Sequence, residues 1–135
     1  EENMPEGHFI SALLQHCGSE LKGVFGGAHG RWILDELRRG ACGNMPAAEF
    51  TDVHVQVYER FAKGDERGAR EVFNKLLPLI NISGAYGLSF HKEVLRRRGV
   101  FKHLYTRVPS PTLDRYDQVE LEALLKEVEP LYKVR

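Results

Sequence analysis

Leu21-Lys22-Gly23-Val24-Phe25-Gly26-Gly27-Ala28-His29-Gly30, then Arg31 to Gly40, then Ala41-Cys42-Gly43-Asn44-Met45-Pro46 is the stretch that decides the fold. Leu21 to Phe25 is short, carries Val24 and Phe25, and is closed by Gly26, Gly27 and Gly30, as a strand entering a tight turn should be. In the helix that begins near Arg31, Trp32, Ile33, Leu34 and Leu37 share one side while Asp35 and Glu36 face away. Arg38, Arg39 and Gly40 supply basic residues and a cap at its end. Ala41 to Met45 is the next strand. About twenty residues separate the two strand starts, the period of a βα repeat whose strands run parallel.

Upstream, Phe9, Ile10, Leu13 and Leu14 at helical spacing predict a helix from His8 to His16, with Gly18 as its cap. Downstream of Pro46 no strand returns. Phe50, Val53, Val57, Tyr58 and Phe61 mark one helix ending at Gly64. Ala69 to Ile80 marks another, with Pro78 expected to bend or tighten its last turn. Leu88, Val94 and Leu95 mark a third, capped by Gly99. Pro109 and Pro111 impose an extended crossing, and a last helix is expected from just after Asp114 to near Pro130. Two strands do not make a stable parallel sheet, because each needs paired neighbours and helices on both faces. The order thus predicts the last two βα units of a doubly wound sheet or of a barrel, plus a helical extension, with the missing strands supplied elsewhere.

The 135 residues are 42% hydrophobic and 28% charged, a composition that packs. Nineteen basic residues balance nineteen acidic ones, so no overall field recruits nucleic acid or an anionic membrane. Arg96, Arg97 and Arg98 fall where a helix dipole favours them. No run approaches the roughly 18 apolar residues of a membrane span. Cys17 and Cys42 lack ligand spacing and read as buried thiols of a reducing, cytoplasmic compartment.

Gly26-Gly27-Ala28-His29-Gly30 joins a strand to a helix, where α/β proteins place ligands. It fits neither a dinucleotide fingerprint nor a phosphate loop. Asn44 and Met45 end the second strand and should face the same mouth. The six histidines include no i, i+4 pair with a helper carboxylate, so no metal is expected. Glu49 and Asp52 are placed as acids are at a helix start, and they are read as structural. No serine nucleophile elbow or catalytic cysteine motif is present.

The ordered series Arg39-Gly40-Ala41, Cys42 to Pro46, Ala62-Lys63-Gly64-Asp65, Leu76-Leu77-Pro78-Leu79, His91-Lys92-Glu93 and Arg107-Val108-Pro109 resembles the C-terminal half of the dihydrodipicolinate synthase and N-acetylneuraminate lyase family over essentially the whole chain. The resemblance implies the C-terminal part of a (β/α)8 TIM barrel, from helix 6 to helix 8. Residues 1–63 would be the last βα units and residues 64–135 the extension. It further implies a lyase in which a lysine at the end of strand 6 forms a Schiff base with pyruvate or a 2-keto-3-deoxy sugar acid, with no cofactor and in a homotetramer. The lysine is expected just before Glu1, carried by the N-terminal part of the same barrel, so no catalytic residue is expected within the chain. The start at Glu1 is read as a truncation or, preferably, as a modified lysine preceding it. Gly26, Gly27, Ala28, Asn44 and Met45 are the expected substrate-binding residues. His29 and Gly30 stand where the lysine-biosynthesis branch carries acids, and Tyr86-Gly87 to Arg98 is similar to the sugar-acid branch. The alternatives are a nucleotide-binding half of a doubly wound protein and a non-catalytic helical interaction module.

Overall fold

The computed structural model describes residues 6–133; Glu1 to Pro5 and the lysine expected before them lie outside the described residues. Eight elements follow one another: α1 (Glu6–Cys17), β1 (Phe25–Gly26), α2 (Ile33–Arg38), β2 (Gly43–Asn44), α3 (Thr51–Ala62), α4 (Glu66–Tyr86), α5 (Leu88–Arg97) and α6 (Arg115–Val128). Short 3-10 turns cover Ala28–Gly30, Ala48–Phe50 and Glu129–Leu131.

The two strands are parallel, with Phe25 opposite Gly43 and Gly26 opposite Asn44. They are shorter than the sequence predicts, since a ladder with a single partner on one edge leaves few residues doubly bonded. The pairing nevertheless extends beyond them, from Cys42 N to Val24 O at 2.8 Å and from Met45 N to Gly26 O at 3.0 Å.

α4 is longer than predicted and continues past Pro78 to Tyr86, where Gly87 at φ +52 ends it. Pro78 is tolerated because it lies on the exposed side, where the carbonyl it deprives of a partner reaches water. Asp65 caps the start by accepting from Gly68 N, and Asp114 caps α6 in a reciprocal box with Asp117.

One core joins α2, α3, α4, α5 and α6, centred on Phe50, Val53, Val57, Leu76, Leu79, Phe90 and Leu121. Each of these is at most 1% exposed. Three readings need correction. Cys42 is exposed and Cys17 only partly covered, because each stands where the strands and α1 have no further neighbour. Trp32, placed on the buried side of α2, is 51% exposed. Glu36, placed on its outer side, is fully buried against the strand ends. No described helix is long and apolar enough to cross a membrane.

Candidate active site

Parallel pairing brings the C-terminal ends of β1 and β2 side by side, so Gly26, Gly27 and Ala28 meet Asn44 and Met45 at one mouth. The loop turns at once. Gly30 N donates to Gly27 O at 2.9 Å and Arg31 N to Ala28 O at 3.0 Å, while Ala28 and His29 take φ of 45° and 57°. Two consecutive side-chain-bearing residues in the left-handed region cost on the order of 1 kcal/mol each, strain that surrounding contacts must offset. Gly26, Gly27 and Ala28 line a cleft of about 470 Å³ with Phe9, Leu13 and Glu36.

Glu36 organises this end of the sheet. Its carboxylate accepts from Gly27 N at 3.3 Å and from Asn44 Nδ2 at 2.6 Å, and the same Asn44 amide donates to Gly27 O at 3.2 Å. Gly26 is required here: a Cβ would lie 2.0 Å from Glu36 Oε2. Asn44 is therefore turned toward α2 and ties β2 to the loop, and its buried Oδ1 has no hydrogen-bond partner. Met45, by contrast, is 67% exposed. The sequence signal for Glu36 was its i+3 spacing from Ile33, which puts both on one stripe.

A second polar group lies under the loop. Glu49 Oε1 is 2.7 Å from His91 Nδ1, and the His91 ring stacks on His29 with centroids 5.5 Å apart. His54 is buried, with its Nδ1 3.0 Å from Phe50 O, and its Nε2 would lie 2.3 Å from a Cβ at Gly30. Burial pushes the His54 pKa down, against the upward pull of the Phe50 carbonyl and the Glu49 charge. Glu49 and Asp52, read as helix-start acids, do stand there, but each also holds a cation or imidazole from α5 or the residue that follows it. Among the described residues no group of three or more His, Cys, Asp or Glu side chains could hold a metal ion.

Fold and site together define the C-terminal part of a (β/α)8 barrel with a helical extension. No protein-family model matches the chain. It is 28% identical over 123 residues to the L-2-keto-3-deoxyarabonate dehydratase of Azospirillum brasilense, covering 90% of this chain and 40% of that protein. Dihydrodipicolinate synthase from Rhodopseudomonas palustris superposes with a TM-score of 0.80 at 31% identity, over 91% of this chain and 42% of that one. The Oceanobacillus iheyensis dihydrodipicolinate synthase gives 0.76 at 18% identity, covering 94% of this chain and 44% of that one, a likeness of fold. Over most of its length the chain is thus similar to part of a keto-deoxy acid dehydratase and of dihydrodipicolinate synthases, and it spans about 40% of the length of the curated relative it matches.

Proposed function

We propose that the complete polypeptide containing this chain is a Schiff-base-forming lyase acting on pyruvate or a 2-keto-3-deoxy sugar acid, with dehydration of the latter as the favoured reaction. The observation that carries this reading is the match to a keto-deoxy acid dehydratase along 90% of the chain. The reacting amine is a lysine upstream of Glu1. Its imine with the keto group, formed with loss of water, draws electrons from the adjacent carbon. Once that carbon gives up a proton, the electron pair expels the neighbouring hydroxyl as water, and hydrolysis of the imine returns the amine.

This chain supplies one side of the pocket. The bend at Gly26 and Gly27 keeps backbone rather than side chain at the cleft, Ala28 gives a small apolar wall, Asn44 holds the loop through Gly27 and Glu36, and exposed Met45 is the flexible apolar group offered beside it. Residues 1–63 would supply the last βα units of the barrel and residues 64–135 the C-terminal helical extension. Assembly as a homotetramer follows from the family likeness, and the free thiols of Cys17 and Cys42 suit the cytoplasm.

The reaction is tested by offering the complete polypeptide a panel of 2-keto-3-deoxy acids and following product mass. Loss of one water from a five-carbon acid is expected. Cleavage to pyruvate and an aldehyde would replace dehydratase by aldolase, and no turnover of any 2-keto acid would overturn the reading.

A further inference from the structure

Among the described residues β2 pairs with β1 alone, and a cleft of about 220 Å³ lies between β2 and α3, lined by Asn44, Thr51 and His54 with Phe25, Val55 and Tyr58. Asn44 Oδ1 and His54 Nε2 are buried, and neither has a hydrogen-bond partner among the described residues. A Cβ built on Gly30 would lie 2.3 Å from His54 Nε2 and 3.3 Å from Asn44 Oδ1, so the two atoms converge on one place.

Their other bonds make both of them acceptors. The Asn44 amide nitrogen faces a Glu36 carboxylate oxygen at 2.6 Å and Gly27 O at 3.2 Å. Both of those groups only accept, so the amide cannot be turned over, and Oδ1 is the atom left bare. His54 Nδ1 lies 3.0 Å from Phe50 O and carries the ring hydrogen. Burial keeps the ring neutral, which leaves a lone pair on Nε2. The Thr51 hydroxyl on the same cleft already donates to Ala48 O.

Two buried acceptors set this close are satisfied together by one group with at least two hydrogens. A serine or threonine hydroxyl has one; a primary amide, a guanidinium or an ammonium has two or more. The negative charge of Glu36, on the far side of the Asn44 amide, favours such nitrogen donors further. A strand is the element that β2 lacks, since two short parallel strands need paired neighbours. Phe25, Val55 and Tyr58, all exposed, offer that strand an apolar rim around the polar pair.

We propose that Asn44 and His54 form a latch for barrel closure: a side chain with two or more N–H hydrogens, carried by the upstream strand that pairs with the open edge of β2, donates to both Asn44 Oδ1 and His54 Nε2. Through the Asn44 amide, which holds Gly27 and Glu36, the latch ties closure of the barrel to the shape of the mouth. It rests on the barrel architecture and is independent of the imine chemistry.

A crystal structure of the complete polypeptide tests this on the unaltered protein. A lysine, arginine, asparagine or glutamine nitrogen of that strand is expected within about 3.2 Å of both atoms. A water, a backbone N–H or an apolar side chain in that place would overturn the latch. Urea unfolding then measures the contact in solution, with the donor residue changed to Ala in the native and in the His54→Phe backgrounds. Loss of the donor should lower the folding equilibrium constant on the order of tenfold in the native background and far less in His54→Phe. Equal losses in the two backgrounds would also overturn it. Borohydride trapping of pyruvate on the same polypeptide keeps the two readings apart: its failure removes the imine chemistry and leaves the latch to be decided by the structure and the unfolding data.

Discussion

The side-chain amide of Asn44 lies 2.6 Å from the Glu36 carboxylate, and this bond between the last residue of β2 and the middle of α2 sets the shape of the mouth. Glu36 is fully buried and Asn44 half-buried, so little water can replace a lost partner of the carboxylate.

Asn44→Ala should therefore destabilise the protein by about 1–3 kcal/mol, the cost of leaving buried acceptors unmet. Asn44→Asp should cost more at neutral pH, since it sets a second carboxylate against Glu36, and part of that excess should vanish in acid. Urea unfolding of both variants at two pH values checks the order. Equal midpoints would mean that the Glu36 contact is not held in solution.

His54 predicts an acid-side dependence. Burial keeps its folded pKa below the ordinary 6.5, so the unfolded chain binds the proton first as pH falls. Its contribution to stability is intact above about pH 6.5 and is lost as pH drops toward the depressed folded value. Thermal unfolding between about pH 5 and pH 7 should show a shallower slope for His54→Gln than for the native sequence. Parallel slopes would show that His54 is not buried neutral.

Much of this was legible in the sequence, and the division is physical. Helices declared themselves through periodic apolar residues: Val53, Val57 and Phe61 in α3, and Val72, Leu76 and Leu79 in α4, lie where the 3.6-residue repeat puts them. Gly40, Gly64 and Gly99 ended helices because each adopts the positive φ that other residues avoid. The mouth could be located because strand ends follow from strand order. Side-chain partners could not. Glu49 with His91 and Asp52 with Arg98 join residues 42 and 46 positions apart, and no local spacing encodes such a pair. Acids at a helix start satisfy the dipole whether or not a distant cation covers them, so the local explanation concealed the tertiary one.

Asp52 and Arg98 carry the third expectation. Arg98 donates to both carboxylate oxygens, at 3.0 and 2.7 Å, and its guanidinium lies 3.9 Å from the centroid of the Tyr132 ring. Asp52 also accepts from Lys133 N at 2.9 Å, so the pair binds the end of the described chain to α3. Asp52→Asn should cost roughly 3 kcal/mol, because it leaves a largely buried guanidinium facing a neutral amide. Denaturation midpoints measure this, and a change under about 0.5 kcal/mol would place the pair among ordinary surface contacts.

Tyr132 adds an alkaline dependence of opposite sense to that of His54. Burial pushes its hydroxyl up to about 12, with the Arg98 charge opposing. The folded form thus keeps a proton that the unfolded chain releases near 10, and stability should fall as pH rises from about 10 toward 12. Tyr132→Phe should flatten that decline in alkaline urea titrations. An unchanged decline would assign it to other groups.

The central claim, that this chain is the C-terminal part of an imine-forming barrel, is tested most directly by borohydride reduction of the complete polypeptide with and without pyruvate, followed by peptide mass mapping. A pyruvate-dependent mass increase on a lysine immediately before Glu1 is the predicted result. No adduct, or one mapped to a lysine within residues 1–135, would contradict the account.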